Sequence, residues 1–216
     1  MILQFDTSLC NNYSSESQSV RIMSEKWFLN NMYCPNCGNP RISHLPNNAP
    51  VADFQCDSCG EVFELKSKKG KIGKKVADGA YSTMINRITS KTTPDLFILQ
   101  YSQNYKVTEL TLIPCFFFIP EIIEKRKPLS KNAIRSGWTG CNILYHYIPK
   151  QGKITVIKNS RPLVPDDVIA RYSQIKQLQT GQPHEKIFII CAKRPIILLA
   201  IQAIISILEV ACFLSA

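Results

Sequence analysis

Four cysteines occur in two pairs whose spacing is typical of a zinc site. They are Cys34, Cys37, Cys56 and Cys59. Two residues separate the cysteines within each pair, 18 residues separate the pairs, and a glycine follows each pair. Four thiolates at this spacing can surround one tetrahedral ion and leave no position for a reactive water. We therefore predict a structural zinc site, with redox dithiols or chance clustering as the alternatives.

A carboxylate-containing hairpin is predicted around the second cysteine pair. Residues 50–55 and 61–66 have the pattern of short strands, so residues 56–60 would form the turn between them. Side chains alternate between the two faces of a strand, which directs Phe63 and Leu65 toward the core. On the opposite face we expect Glu64 and Lys66.

Asp53, on the neighbouring predicted strand, can reach the same patch as Glu64 and Lys66. Two carboxylates can hold Mg²⁺, which polarises a phosphodiester and activates a water, and an amine can orient that water. Asp53, Glu64 and Lys66 are therefore candidate catalytic residues, the two acids being candidate Mg²⁺ ligands. The pattern is short, and an ordinary charged, solvated hairpin is the alternative.

Basic residues follow the hairpin and recur later in the chain. The first run contains Lys66, Lys68, Lys69, Lys71, Lys74 and Lys75. We predict that Lys68 and Lys69 contact phosphates. A second basic segment, residues 125–138, is interrupted by a proline and a glycine and reads as a loop or half-helix beside DNA. Its candidate DNA contacts are Arg126, Lys131, Arg135 and Trp138. The tryptophan could instead close the core.

Composition agrees with an anionic partner. The chain has 216 residues, of which 45% are hydrophobic, and 26 Lys plus Arg against 16 Asp plus Glu give a net charge of +10. Nucleic acid is the first candidate partner and an anionic membrane the second. Nine cysteines and a start without the features of a secretory signal indicate a reduced, cytoplasmic protein. Glycine-rich phosphate loops, serine nucleophile elbows and histidine metal motifs do not occur.

Helical and strand patterns are mixed along the chain, which predicts an α/β fold with a mixed sheet flanked by helices. The predicted helices are residues 17–30, 78–89 with Asp78 as the N-cap, and 166–179. The predicted strands outside the hairpin are residues 96–101, 107–113 and 152–157. We assign residues 1–180 to the zinc-ribbon-containing domain and residues 181–216 to a hydrophobic tail, which could be a core helix or a membrane segment.

Several short strings together resemble the DpnI-type methyl-directed restriction endonucleases. They are Tyr33-Cys-Pro-Asn-Cys-Gly38, Pro50-Val-Ala-Asp-Phe54, Phe63-Glu-Leu-Lys-Ser-Lys-Lys-Gly70, Asp78-Gly-Ala-Tyr81, Arg126-Lys-Pro-Leu129 and Gly137-Trp-Thr-Gly-Cys-Asn142. The resemblance covers about residues 1–180. It differs from the family pattern in one respect, because Pro50 stands three residues before Asp53 instead of next to it.

The resemblance implies a PD-(D/E)xK nuclease core with an inserted four-cysteine zinc ribbon. It implies that Asp53 and Glu64 hold Mg²⁺, that Lys66 is the catalytic lysine, and that the substrate is duplex DNA carrying N6-methyladenine in GATC. The family's C-terminal winged-helix domain would be missing or altered here. The resulting hypothesis is a type II restriction endonuclease that uses Mg²⁺ and Zn²⁺, with neither an obligate protein partner nor a membrane expected.

Two other functions remain open from the sequence. One is a zinc-ribbon module that binds methylated DNA without cutting it, independently of Mg²⁺. The other is a membrane-tethered zinc-ribbon interaction protein, which requires the hydrophobic tail to enter lipid.

Overall fold

Two β-sheets and three α-helices are formed by the residues that the computed structural model describes, which are 1–11, 13–46, 52–90 and 93–180. The helices are α1 (Glu16–Asn31), α2 (Tyr81–Ile88) and α3 (Pro165–Thr180). The strands are β1 (Ile42–His44), β2 (Phe54–Cys56), β3 (Val62–Lys69), β4 (Val76–Ala80), β5 (Asp95–Tyr101), β6 (Val107–Ile113), β7 (Ile123–Lys125), β8 (Gly140–Ile143), β9 (Ile154–Lys158) and β10 (Arg161–Pro162). The chain divides into two units, Met1–Ile175 and Lys176–Ala216, and the account below concerns the first.

The larger sheet has seven strands in the order β1-β2-β3-β5-β6-β9-β10. Its strand pairs are antiparallel except for β3 and β5, which run parallel with Phe63 opposite Asp95. Parallel neighbours need a crossover connection, and here β4 and α2 supply it. Strand β4 belongs to the second sheet. It pairs with β8, and β8 pairs with β7, which gives an antiparallel three-stranded sheet.

Aromatic side chains join α1 to one face of the large sheet. Phe28 of α1 lies 4.9 Å from Phe97 of β5 and 4.6 Å from Phe54 of β2, measured between ring centroids. Phe63 packs edge-on against Phe97 at 5.6 Å. These four rings are fully buried. Glu64, next to Phe63 on the strand, therefore points to the opposite face, where α2 lies.

Helix α3 is fastened to the sheet by a buried polar pair. The Tyr172 hydroxyl donates to Asp95 Oδ2 at 2.5 Å, and the Cys115 amide donates to Asp95 Oδ1 at 2.7 Å. Burial, with the negative charge of Asp95 beside it, raises the pKa of the Tyr172 phenol, so the phenol stays a donor.

The structure confirms most of the predicted elements. The predicted α1 is observed with Val20, Met23 and Trp27 buried, and the indole of Trp27 donates to the Ile2 carbonyl at 2.6 Å. Strand β6 matches its prediction residue for residue, β5 begins one residue earlier than predicted, and β9 and α3 differ from their predictions by one or two residues at each end. The mixed sheet flanked by helices is the expected fold.

One prediction about local structure is wrong. Asp78 does not cap a helix, because α2 begins at Tyr81 after Ala80 and its N-cap makes no side-chain hydrogen bond. Asp78 instead lies in β4, opposite Cys141 of β8. Asp favours helix N-caps and is uncommon in strands, so here the pairing of β4 with β8 overrides the local preference.

Two predictions fall outside the described residues: the position of Pro50 and the structure of the hydrophobic tail, residues 181–216. In the part of the chain that the structure does describe, none of the helices is long and apolar enough to cross a membrane.

Candidate functional site

The two cysteine pairs form one cluster. Its members are Cys34, Cys37, Cys56 and Cys59, whose sulfur atoms all lie within 4.8 Å of one another. In both pairs the backbone turns in the same way: the amide of Gly38 donates to the first cysteine's carbonyl at 2.8 Å, and that of Gly60 does so at 3.0 Å. Both glycines have a positive φ, of 76° and 74°, which side-chain-bearing residues rarely adopt.

The cluster geometry suits a metal better than two separate dithiols. Two contacts cross between the pairs, with Cys34 Sγ 3.5 Å from Cys59 Sγ and Cys37 Sγ 3.6 Å from Cys56 Sγ. A tetrahedral zinc with Zn–S bonds of about 2.3 Å would set its sulfurs about 3.8 Å apart. The four thiols converge on one point at this separation, so the cluster can hold zinc.

The second knuckle forms the predicted hairpin. Strands β2 and β3 pair antiparallel, with Phe54 opposite Phe63, and the turn between them carries Cys59. Phe63 is buried as expected, whereas Leu65 is half-buried. A metal held by the cysteines would therefore fix the start of β3, the strand on which Glu64 and Lys66 lie.

A charged cluster lies on the α2 side of β3. The Lys66 ammonium is 2.8 Å from Glu64 Oε1 and 2.6 Å from Asp78 Oδ1. Arg87 Nη1 of α2 pairs with the other oxygen of the same glutamate, Oε2. The Glu64 side chain is 11% exposed and that of Asp78 is 6% exposed, so these charges interact largely away from water.

Lys66 and Asp78 stabilise each other's ionised form. Burial alone would lower the pKa of Lys66, but the carboxylates of Glu64 and Asp78 reverse this effect and raise it above its ordinary value. Burial would likewise raise the pKa of Asp78, but the adjacent Lys66 ammonium and the Gly79 amide hold it below its ordinary value. At neutral pH the lysine is therefore a cation and the aspartate an anion.

Asp53 lies at the end of the same hairpin but outside this cluster. Its amide donates to the Phe63 carbonyl at 3.0 Å, and its carboxylate Oδ2 accepts from the Leu65 amide at 3.0 Å. In the described residues, neither a hydrogen bond nor an ion pair joins Asp53 to Glu64 or Lys66. The structure thus brings Glu64 and Lys66 into contact and places Asp53 at the backbone segment between them.

Asp78 and Arg87 are members of the cluster that the sequence analysis did not identify. Asp78 lies in a five-residue strand whose sequence, Val-Ala-Asp-Gly-Ala, has no alternation of apolar and polar residues that would predict a strand. Arg87 shares one helical face with Met84 and Ile88, and such a face is ordinarily read as apolar. Only the crossover connection brings this arginine to β3.

The predicted phosphate contacts are exposed. Lys68 and Lys69 lie at the end of β3 and face solvent, with Lys69 Nζ 3.8 Å from a carboxylate oxygen of Glu16. The predicted loop is observed between β7 and β8. It is closed by the Leu129 amide, which donates to the Trp138 carbonyl at 2.9 Å, and by a 3.1 Å bond from the Gly137 amide to the Leu129 carbonyl.

Basic side chains surround a half-buried tryptophan in this loop. Arg126, Lys131 and Arg135 are exposed, and the Arg135 guanidinium lies 5.1 Å from the centre of the Trp138 ring. The loop leads into β8, whose Cys141 is paired with Asp78. The basic loop is thus connected through a single strand pair to the Glu64–Lys66 cluster.

The fold and the site define a class: a mixed α+β domain in which a four-cysteine metal-binding cluster adjoins a strand carrying a Glu-x-Lys charge cluster. Comparison with protein families identifies the family. Residues 1–181 match the model of the DpnI family, described as the Dam-replacing family, and the chain belongs to that family. Membership places it with the DpnI-type methyl-directed restriction enzymes, which act on DNA.

Proposed function

We propose that this protein is a Mg²⁺-dependent endonuclease that cuts duplex DNA at adenine-methylated GATC sites. One observation carries the proposal: in a chain of the DpnI family, the Glu64 and Lys66 side chains meet at 2.8 Å on β3, and Asp53, directly before the partner strand β2, accepts the amide of Leu65 between them. An acid, an amine and a second acid at the end of one hairpin are what metal-assisted phosphodiester hydrolysis requires.

Carboxylate oxygens are the donors that Mg²⁺ prefers, and one or two of them suffice when substrate phosphates supply the rest. Glu64 provides such a donor from β3 and Asp53 provides one from the residue directly before β2, so these residues fit the ion. Mg²⁺ held there would polarise the scissile phosphate and lower the pKa of a bound water. Lys66, kept protonated by its two carboxylate neighbours, would offset negative charge that develops on the phosphate.

The cysteine cluster has a structural role in this proposal. Zinc bound by four cysteines has no open coordination position, so it would stabilise the hairpin without taking part in hydrolysis. Because Cys56 ends β2 and Cys59 lies in the turn before β3, the ion would fix the turn of the hairpin and the start of β3, the strand that carries Glu64.

The exposed basic residues support DNA as the substrate. Lys68, Lys69, Arg126, Lys131 and Arg135 can contact phosphates, which position the duplex without reading its sequence. Trp138 is half-buried and could read a methyl group by contact with its ring, once the Arg135 guanidinium leaves the ring face.

The experiment that tests this function is cleavage of two plasmid preparations, adenine-methylated and unmethylated at GATC, with Mg²⁺ present. We expect the unmodified protein to cut only the methylated plasmid. Glu64→Gln, Asp53→Asn and Lys66→Met should each lower the rate about 10²–10³-fold. The matched control is Glu124→Gln, since Glu124 also pairs with a lysine, Lys75, but on β7 and away from the cluster.

Two results would contradict the proposal. Cutting by Asp53→Asn and Glu64→Gln at the control rate would show that these carboxylates are not the site. Retention of methylated DNA without cutting, whether or not Mg²⁺ is present, would instead identify a binding module.

A further inference from the structure

Lys66 is shared between two carboxylates that come from different sheets. Its ammonium lies 2.8 Å from Glu64 on its own strand and 2.6 Å from Asp78 on β4. The lysine side chain is 29% exposed, whereas that of Asp78 is 6% exposed. The aspartate is therefore largely buried, and it is the closer of the two partners.

Asp78 is held in place independently of the lysine. Its Oδ1 accepts the amide of Gly79 at 2.7 Å. Its backbone is paired with buried Cys141, and the register of β4 against β8 shifts directly after it, between Asp78 and Ala80. A bulge of this kind redirects the neighbouring side chains. The carboxylate is thus fixed by its own strand, which makes it a rigid acceptor for the ammonium.

Glu64 is contacted by cations at both of its oxygens. Lys66 is bonded to Oε1 and Arg87 to Oε2. An ammonium bonded to Oε1 occupies one of its lone pairs and repels a divalent cation, so a metal binds Glu64 Oε1 more tightly when Lys66 moves away from it. Asp78 offers the Lys66 ammonium a second carboxylate partner within the site.

We propose that Asp78 is a positioning residue that draws the Lys66 ammonium away from Glu64 and thereby leaves Glu64 an oxygen for the divalent cation. This inference rests on the proposed function and adds to it a residue outside the Asp53, Glu64 and Lys66 set. The proposal requires that Asp78 affect metal binding only when Lys66 is present.

The test measures Mn²⁺ affinity by the loss of the free-ion electron paramagnetic resonance signal, using the full chain loaded with zinc. The variants are Asp78→Asn, Lys66→Met and the double variant. Asp78→Asn should weaken Mn²⁺ binding about tenfold, because neighbours of metal ligands typically contribute 10–100-fold. In the Lys66→Met background the same change should alter affinity less than about twofold, since no ammonium is left to redirect.

Two controls keep the measurement specific. Glu124→Gln removes a carboxylate that is likewise bonded to a lysine, and it should leave Mn²⁺ affinity unchanged. Asp78→Ser is measured beside Asp78→Asn, because a serine hydroxyl can still accept the Gly79 amide if the asparagine variant does not fold.

If Asp78→Asn weakens Mn²⁺ binding equally in the unmodified and the Lys66→Met backgrounds, Asp78 is a direct metal ligand and the inference is overturned. No weakening in either background would overturn it as well. Glu64→Gln separates this failure from failure of the proposed function. If Glu64→Gln binds Mn²⁺ as tightly as the unmodified protein, the metal site itself is wrong. If it loses binding while Asp78→Asn does not, only the role of Asp78 is wrong.

Discussion

Replacing one thiol of the cysteine cluster gives the sharpest test of the zinc assignment, and Cys59→Ser is the best choice. Cys59 is exposed, so its replacement leaves no cavity in the core. Its sulfur contacts Cys34 Sγ at 3.5 Å, and a serine oxygen is a poorer and shorter ligand at that position. The variant should therefore act on stability through the metal alone.

The expected loss follows from the number of ligands. Structural zinc contributes about 10–16 kcal/mol in small zinc-binding peptides, so an equal share for one of four ligands is about 3 kcal/mol. For a chain of this size each kcal/mol lowers the melting temperature by about 2–4 °C, which predicts a decrease of about 6–12 °C. The melting curve is followed by circular dichroism, and zinc per chain is measured by atomic emission.

Cys10→Ser is the matched control. Cys10 is half-buried, lies outside the cluster and donates to the Ser19 carbonyl at 3.4 Å, a bond that serine can replace. We expect this variant to keep its zinc and to lose less than about 1 kcal/mol. If Cys59→Ser and Cys10→Ser have the same melting temperature and the same zinc content, the reasoning that links the cysteine cluster to the stability of the hairpin is refuted.

Three further predictions concern packing and the basic loop. Phe97→Ala should cost about 3–5 kcal/mol in chemical denaturation because the ring is fully buried, and a loss below 1 kcal/mol would contradict the described core. Tyr172→Phe should cost about 1.5–3 kcal/mol in the same assay, since it removes a buried hydrogen bond to the Asp95 carboxylate. Gly140→Ala should shift the fluorescence of Trp138, because the added methyl would lie 2.8 Å from its ring; an unchanged spectrum would place the ring elsewhere.

The elements that could be predicted from the sequence are those with a strong local pattern. The apolar period of α1 and the unbroken apolar run of β5 need no tertiary information. The cysteine spacing likewise predicts a four-sulfur cluster, because two Cys-x-x-Cys pairs at this separation are typical of one zinc site. Strands β4, β7 and β8 were not identified, since each is short and is stabilised by pairing with the others.

Some residues of the candidate site could likewise be predicted from the sequence, and others could not. Glu64 and Lys66 are two residues apart on one strand, so the period of a strand suffices to predict their contact. Asp78 and Arg87 join them through the crossover, which pattern reasoning does not reveal. Asp53 was expected beside Lys66, but its carboxylate accepts the Leu65 amide instead, and its place among the metal ligands stays a prediction.

The parallel pairing of β3 with β5 also sets the order in which the charge cluster can form during folding. Closing a parallel pair requires the whole crossover to be in place, and such non-local contacts form later than hairpins. The four cysteines and the hairpin strands lie within residues 34–69, whereas Asp78 and Arg87 follow in the crossover between β3 and β5. We therefore expect a nascent chain to form its metal-binding knuckles before its charge cluster.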